Sequence, residues 1–178
     1  MADGMRRMIG DALLMAAKDL RLEFKARVGL TQVLPFGVLV LVVMAFALDA
    51  ESRLLVEVSP GLFWVTVTFA AVLMVTRSSG LETEAGVGDA LRLSGMAPAG
   101  IFFGKVAALT LQLLALEAVL ALGVAVFYGT VFHSVVLLVT VALLTTLGIA
   151  ASGAVYGALA ARLRSRDTLL PLLMLPLL

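Results

Sequence analysis

Four stretches of this chain stay largely apolar, three of them for the length of a lipid bilayer, and that limits what it can fold into. Val28 to Leu48 gives twenty-one residues, about 31 Å of helix against a hydrocarbon core of roughly 30 Å. Gly61 to Thr76 gives sixteen, about 24 Å, so it borrows Ser59-Pro60 or Ser78 to Leu81, or thins the bilayer locally. Val106 to Tyr128 gives twenty-three and Ser134 to Ala161 twenty-eight, the last long enough to tilt or emerge. In lipid a spanning segment must satisfy its own backbone polar groups, which makes each of these a helix. Composition agrees: 62% of residues are hydrophobic and 14% charged, against roughly 45–50% and 25% in a soluble domain. The expectation is an all-α integral membrane protein, a polytopic helical bundle with a permease domain over 28–178. Its spans fall at about 28–48, 60–76, 106–128 and 134–161, with an incomplete one at 168–178. Thr168 to Leu178 reaches only about 16 Å, and a helix ending at mid-membrane leaves its last carbonyls unpaired. A C-terminally truncated reading of a longer protein is therefore expected.

Orientation follows from the thirteen Lys and Arg residues. Arg6, Arg7, Lys18, Arg21, Lys25 and Arg27 precede the first span, and Arg77, Arg92 and Lys105 lie between the second and third. Arg162, Arg164 and Arg166 follow the fourth, so only Arg53 falls on the other side. The positive-inside rule then puts the N-terminus in the cytoplasm, as expected of a multi-pass protein of a bacterial inner membrane. It runs the second span inward, with Pro60 in its first turn, where a missing N–H costs little. Pro60, Gly61 and Trp64 form an outer-interface motif, an amphipathic indole being at home at that depth.

Residues 1–27 lack the apolar core and cleavage site of a signal peptide. Ile9, Leu13, Ala16, Leu20 and Phe24 recur at helical spacing, with Asp11, Lys18 and Lys25 on another face. This predicts a cytoplasmic amphipathic helix lying along the inner membrane surface; an ordinary solvent-facing helix is the alternative. The longest polar interval, 77–105, is cytoplasmic as well. Glu82, Glu84 and Asp89 make it acidic, Leu81, Ala85 and Leu91 could form a short apolar stripe, and Ser94-Gly95 with Pro98 marks a break. It reads as a docking loop or a plain connector.

Catalytic signatures are missing. There is no G-x-x-x-x-G-K-[ST] to cradle phosphates, no H-E-x-x-H and no G-x-S-x-G. Absence of cysteine excludes disulfides and thiolate metal sites, one histidine cannot build a metal site alone, and a net charge of +1 gives no reason to expect nucleic acid. Glu117 stands out in LQLLALEAVLALG, because an intramembrane carboxylate faces the bundle interior, pairs or is protonated. It is a candidate proton or substrate contact, or a polar packing group with Gln112 nearby in sequence. His133 could ligate heme iron or be a solvated loop residue, and the eight methionines show no fixed spacing. Gly100 and Gly104, Gly148 and Ser152, and Gly153 and Gly157 are each four apart, a spacing that permits close helix approach within the bundle or between subunits.

The segments SPGLFWV, LRLSGMAPAGIFFGKVAAL and GIAASGAVYGALAARLRSRDTLLPLLMLPLL resemble those of the CcmB family, the permease subunit of the heme-exporting ABC system of cytochrome c maturation. The resemblance covers about Asp19 to Leu178. It implies a six-span bundle of the ABC-2 exporter type, of which four complete spans and part of a fifth stand here. It implies no enzyme activity of the chain's own. Partners would be a separate CcmA-like ATPase, CcmC-like and CcmD-like membrane proteins and a CcmE-like heme chaperone, besides membrane lipid. Heme would be the cargo of the complex, with no cofactor bound by this chain alone. The ATPase-coupling loop maps to Leu81, Glu82, Glu84, Asp89, Leu91, Arg92 and Leu93. Two other readings stay open: an ABC-2 permease for lipid, polysaccharide or drug, and a proton-coupled secondary transporter using Glu117.

Overall fold

The computed structural model describes residues 2–27, 29–48, 53–84, 93–129 and 134–160. Among these residues five α-helices follow in chain order: α1 (Ala2–Ala26), α2 (Leu34–Ala47), α3 (Arg53–Glu84), α4 (Pro98–Tyr128) and α5 (Val135–Ala160). A π-helical turn, Gly29–Val33, precedes α2.

The segment expected as a span over 28–48 is helical from Gly29 to Ala47, and a break lies at its start, between α1 and the π turn. Arg27 takes a left-handed backbone conformation, φ 54°, and α2 proper has 14 residues, about 21 Å and so short of a bilayer on its own. The cause is Pro35, in the first turn of α2, which supplies no N–H and whose ring crowds the carbonyl four residues back. The wider π turn takes up the misfit. Thr31 secures the break, its N–H and its Oγ1 both donating to the Arg27 carbonyl at 2.8 Å. Across it, Gly4–Ala26 and Thr31–Ala47 are bent by 53°.

The second apolar segment begins earlier than expected. Pro60 lies inside α3, which starts at Arg53, not in a first turn. A proline inside a helix leaves the carbonyl four residues back without its donor, here that of Val56. Ser59 Oγ donates to that oxygen at 2.9 Å, so the helix passes through with the freed group satisfied, as intramembrane helices require. Arg53 and Glu57, paired at 3.2 Å one turn apart, support the exposed start. At its other end α3 continues to Glu84 and α4 starts at Pro98, so the interval expected as a loop over 77–105 is helical at both ends.

Among the described residues, three helical stretches are long and apolar enough to cross a membrane: Arg53–Thr76, Pro98–Tyr128 and Val135–Leu159. The bent α1–α2 pair makes a fourth if counted as one span. The fifth segment, 168–178, lies outside the described residues.

The core forms where α2, α3 and α4 meet, with Leu41, Val67, Ala70, Leu113, Leu116 and Leu120 at its centre. Small residues draw the helices together. A Cβ on Gly37 would sit 2.9 Å from Leu120 Cδ2, and one on Gly123 3.2 Å from Leu41 Cδ1. At the far end of α4 the buried Tyr128 hydroxyl donates to the Leu41 carbonyl at 3.0 Å, and Gly129, φ 62°, ends the helix. α5 packs through Ala150 and Ala154 against Val75, Val106 and Leu109. Its first ten residues, Val135 to Leu144, are apolar or Thr and almost wholly exposed.

Candidate functional site

Polar groups collect at two places, one inside the bundle and one where α1 meets the start of α4. Inside, Glu117 on α4 is 4% exposed, and Thr146 on α5 donates its Oγ1 to Glu117 Oε1 at 2.5 Å. Glu117 Oε2 is buried with no hydrogen-bond partner among the described residues. One side-chain bond thus ties α4 to α5, the kind of interhelical contact that polar residues supply where lipid removes the hydrophobic driving force. The partner of Glu117 is Thr146 and not Gln112, whose own Oε1 is buried with no bond among the described residues. Five residues along a helix turn a side chain about 140° away, so Gln112 and Glu117 occupy different faces. Thr146, fully buried, is the site residue that sequence reasoning missed; a Thr-Thr pair in an apolar span was the signal that could have found it.

The second place is a clamp. α4 begins with Ala97 as its N-cap residue and Pro98 next, and no side chain caps it from within. The cap comes from α1: Asp11 Oδ2 accepts the Ala97 N–H at 3.0 Å, placing a carboxylate where the helix dipole favours negative charge. Below it the helices touch through glycine. A Cβ on Gly100 would lie 2.7 Å from Asp11 Cβ, and one on Gly104 would lie 2.6 Å from both Ala12 O and Met15 Cβ. Gly100 and Gly104 are therefore a close-approach pair, and their neighbour is α1. Gly100 meets Met8 to Ala12 while Gly104 meets Ala12 and Met15, so the two helices run in the same direction. Of the other spaced pairs, Gly148 has open space at its Cβ, Ser152 Oγ bonds back to the Gly148 carbonyl at 2.9 Å, and Gly153 and Gly157 are buried.

The expected coupling residues fall mostly beyond this geometry. Leu81, Glu82 and Glu84 lie on the last turns of α3, Leu93 is exposed just before the Ser94-Gly95 turn, and Asp89, Leu91 and Arg92 lie outside the described residues, as does His133. Gly95 adopts φ 68°, a conformation that suits glycine, and turns the chain toward the Asp11 cap. In the outer-interface motif, Pro60 and Gly61 are exposed and Trp64 is half-buried, its ring edge-on to Phe63 at 5.4 Å.

An all-helical bundle whose buried polar groups tie helix to helix, with spans apolar enough for lipid, defines a multi-pass membrane protein. The CcmB family model, described as CcmB protein, matches residues 11–178. The chain belongs to the CcmB family, the heme exporter permeases of cytochrome c biogenesis. Comparisons with curated proteins and with solved structures found no match.

Proposed function

We propose that this chain is the membrane permease subunit of an ABC complex that handles heme for cytochrome c-type biogenesis, in a bacterial inner membrane with its N-terminus in the cytoplasm. The observation that carries this reading is the family match over residues 11–178. In it, a separate CcmA-like ATPase docks on the cytoplasmic connection between α3 and α4, around Leu81 to Leu93. CcmC-like and CcmD-like proteins sit beside the bundle, and a CcmE-like chaperone carries the heme away. ATP-driven closure of the ATPase pushes on the connection, and the force enters the bundle through α3 and α4. The Asp11–Ala97 bond makes α1 move with the start of α4. The exposed apolar residues of α1, which runs alongside the start of α4, meet the inner leaflet there and give that motion something to lever against. Release of heme-loaded chaperone follows from the tilt.

Purification of the tagged chain from its native membrane tests the partners: an ATPase together with CcmC-like and CcmE-like proteins is the expected catch. An ATPase alone would point to an ABC-2 permease of other cargo. In the assembled complex, replacing Leu81 to Leu93 by a Gly/Ser linker should uncouple ATP hydrolysis from chaperone release; full coupled activity would refute the docking role. The buried Glu117 favours one other reading, proton-coupled transport, and unchanged transport by Glu117→Gln would remove it.

A further inference from the structure

α1 has three faces, and only one is used by the bundle. Met8, Asp11, Ala12, Met15 and Asp19 recur three or four residues apart, and this face lies against α4, with Met15 1% exposed. The second face carries Met5, Ile9, Leu13 and Phe24, all at least half exposed. Ile9, Leu13 and Phe24 of the apolar stripe visible in the sequence therefore point away from the bundle, whereas Ala16 of the same stripe is buried and Leu20 half-buried; small residues and acids make most of the packing face.

The charges are sorted the same way. Asp11 is spent on the Ala97 N–H, and Asp19 is buried and paired with Lys18 at 2.9 Å. Arg6, Arg7, Arg21 and Lys25 are exposed. Two of the acids of this helix, Asp11 and Asp19, are thus turned toward the bundle, while four of its basic residues stay exposed. Between the packing face and the apolar face runs a groove of about 290 Å³, walled by Met8, Ile9, Ala12 and Leu13 of α1 and by Phe103 and Ala107 of α4. Its lining is apolar, and Arg6 stands one turn before Ile9 and two before Leu13 on the same side of the helix.

We infer that this groove holds an acyl chain of an anionic phospholipid of the inner leaflet, with the lipid phosphate held by Arg6. The inference rests on the proposed orientation, which puts the start of α4, and α1 alongside it, at the depth of the inner leaflet. A wholly apolar groove with the exposed Arg6 one turn from its wall matches an anionic lipid, which offers a hydrocarbon tail and a negative head in one molecule. It does not match a second copy of the chain, whose α1 would bring the same positive charges to the contact.

The test uses the full chain carrying Trp64→Phe and Leu13→Trp, so that one indole stands at the groove mouth. It is reconstituted in phosphatidylcholine vesicles with an equal small fraction of dibrominated phosphatidylglycerol or dibrominated phosphatidylcholine. Quenching by the anionic lipid should exceed that by the neutral one roughly five-fold for one basic residue at an anionic surface. Arg6→Gln, a change at an exposed position, should remove the excess, and Ala107→Phe, which fills the groove, should remove it as well. Equal quenching by both lipids would overturn the site and leave α1 on the membrane. Persistence of the excess in both variants would also overturn it. Absence of quenching by either lipid would overturn the site and the membrane-surface position together. Neither failure bears on whether the chain serves a heme permease.

Discussion

Gly104→Ala should loosen α1 from α4, and the size of the effect can be worked from the clamp. The added Cβ would lie 2.6 Å from Ala12 O and from Met15 Cβ, where carbon contacts are normally about 3.5–4.0 Å. One obstacle is backbone and the other is the base of a side chain, so no rotamer change gives relief and α1 must retreat by roughly 1 Å. A retreat of that size stretches the 3.0 Å Asp11–Ala97 bond beyond the range of a real hydrogen bond. Overpacking costs about 1–3 kcal/mol and the lost cap about 1 kcal/mol, against about 1 kcal/mol gained from alanine's helix propensity. The net, about 1–3 kcal/mol, falls on docking of α1, because the core of α2, α3 and α4 does not include it. The chain has no cysteine, so Leu13→Cys and Phe103→Cys give an unambiguous spin-label pair across the groove, read by pulsed electron resonance in nanodiscs. A longer, broader distance is expected in Gly104→Ala. Gly148→Ala, whose Cβ meets nothing within 4 Å, should leave the distance unchanged. An unaltered distance in Gly104→Ala would refute the clamp.

How legible was this in the sequence? The membrane class was, because apolar runs of bilayer length admit few other folds, and the break before α4 was, because Ser94-Gly95 and Pro98 are strong local signals; that the helix itself begins at Pro98 and not near 106 was not. The π turn and the bend at the start of the first apolar segment were not read, although Pro35 was visible. Twenty-one residues that are apolar but for Thr31 and Gln32 look continuous to a hydropathy argument, which weighs side chains and not the donor a proline withholds. The opposite error occurred at Pro60, read as a helix start because proline suits that position; the decisive group was the Ser59 hydroxyl one residue before it. The Glu117–Thr146 and Asp11–Ala97 bonds join residues far apart in the chain, and no local spacing encodes such a pairing. For α1 the periodicity was legible and its meaning was not: an apolar stripe can face lipid or protein, and here the small and acidic residues make the protein face.

Three further outcomes are expected. Thr146→Val should cost about 1–3 kcal/mol by leaving both Glu117 oxygens unpartnered, while Glu117→Leu with Thr146→Val should lie closer to wild type than either single change. Denaturation in mixed micelles measures the cycle, and additive losses would dissolve the tie. Tyr128→Phe should lower stability by about 1 kcal/mol through loss of its bond to the Leu41 carbonyl, with a lower melting temperature as the readout and no change as the refutation. The most discriminating is at the proline of α3. Ser59→Ala alone should cost about 1–3 kcal/mol, because the Val56 carbonyl then has neither the Ser59 hydroxyl nor a backbone donor. In a Pro60→Ala background residue 60 regains its N–H and can bond Val56 itself, so Ser59→Ala there should cost little. If the serine change costs the same in both backgrounds, the hydroxyl is not standing in for the missing donor, and the passage of α3 through Pro60 needs another cause.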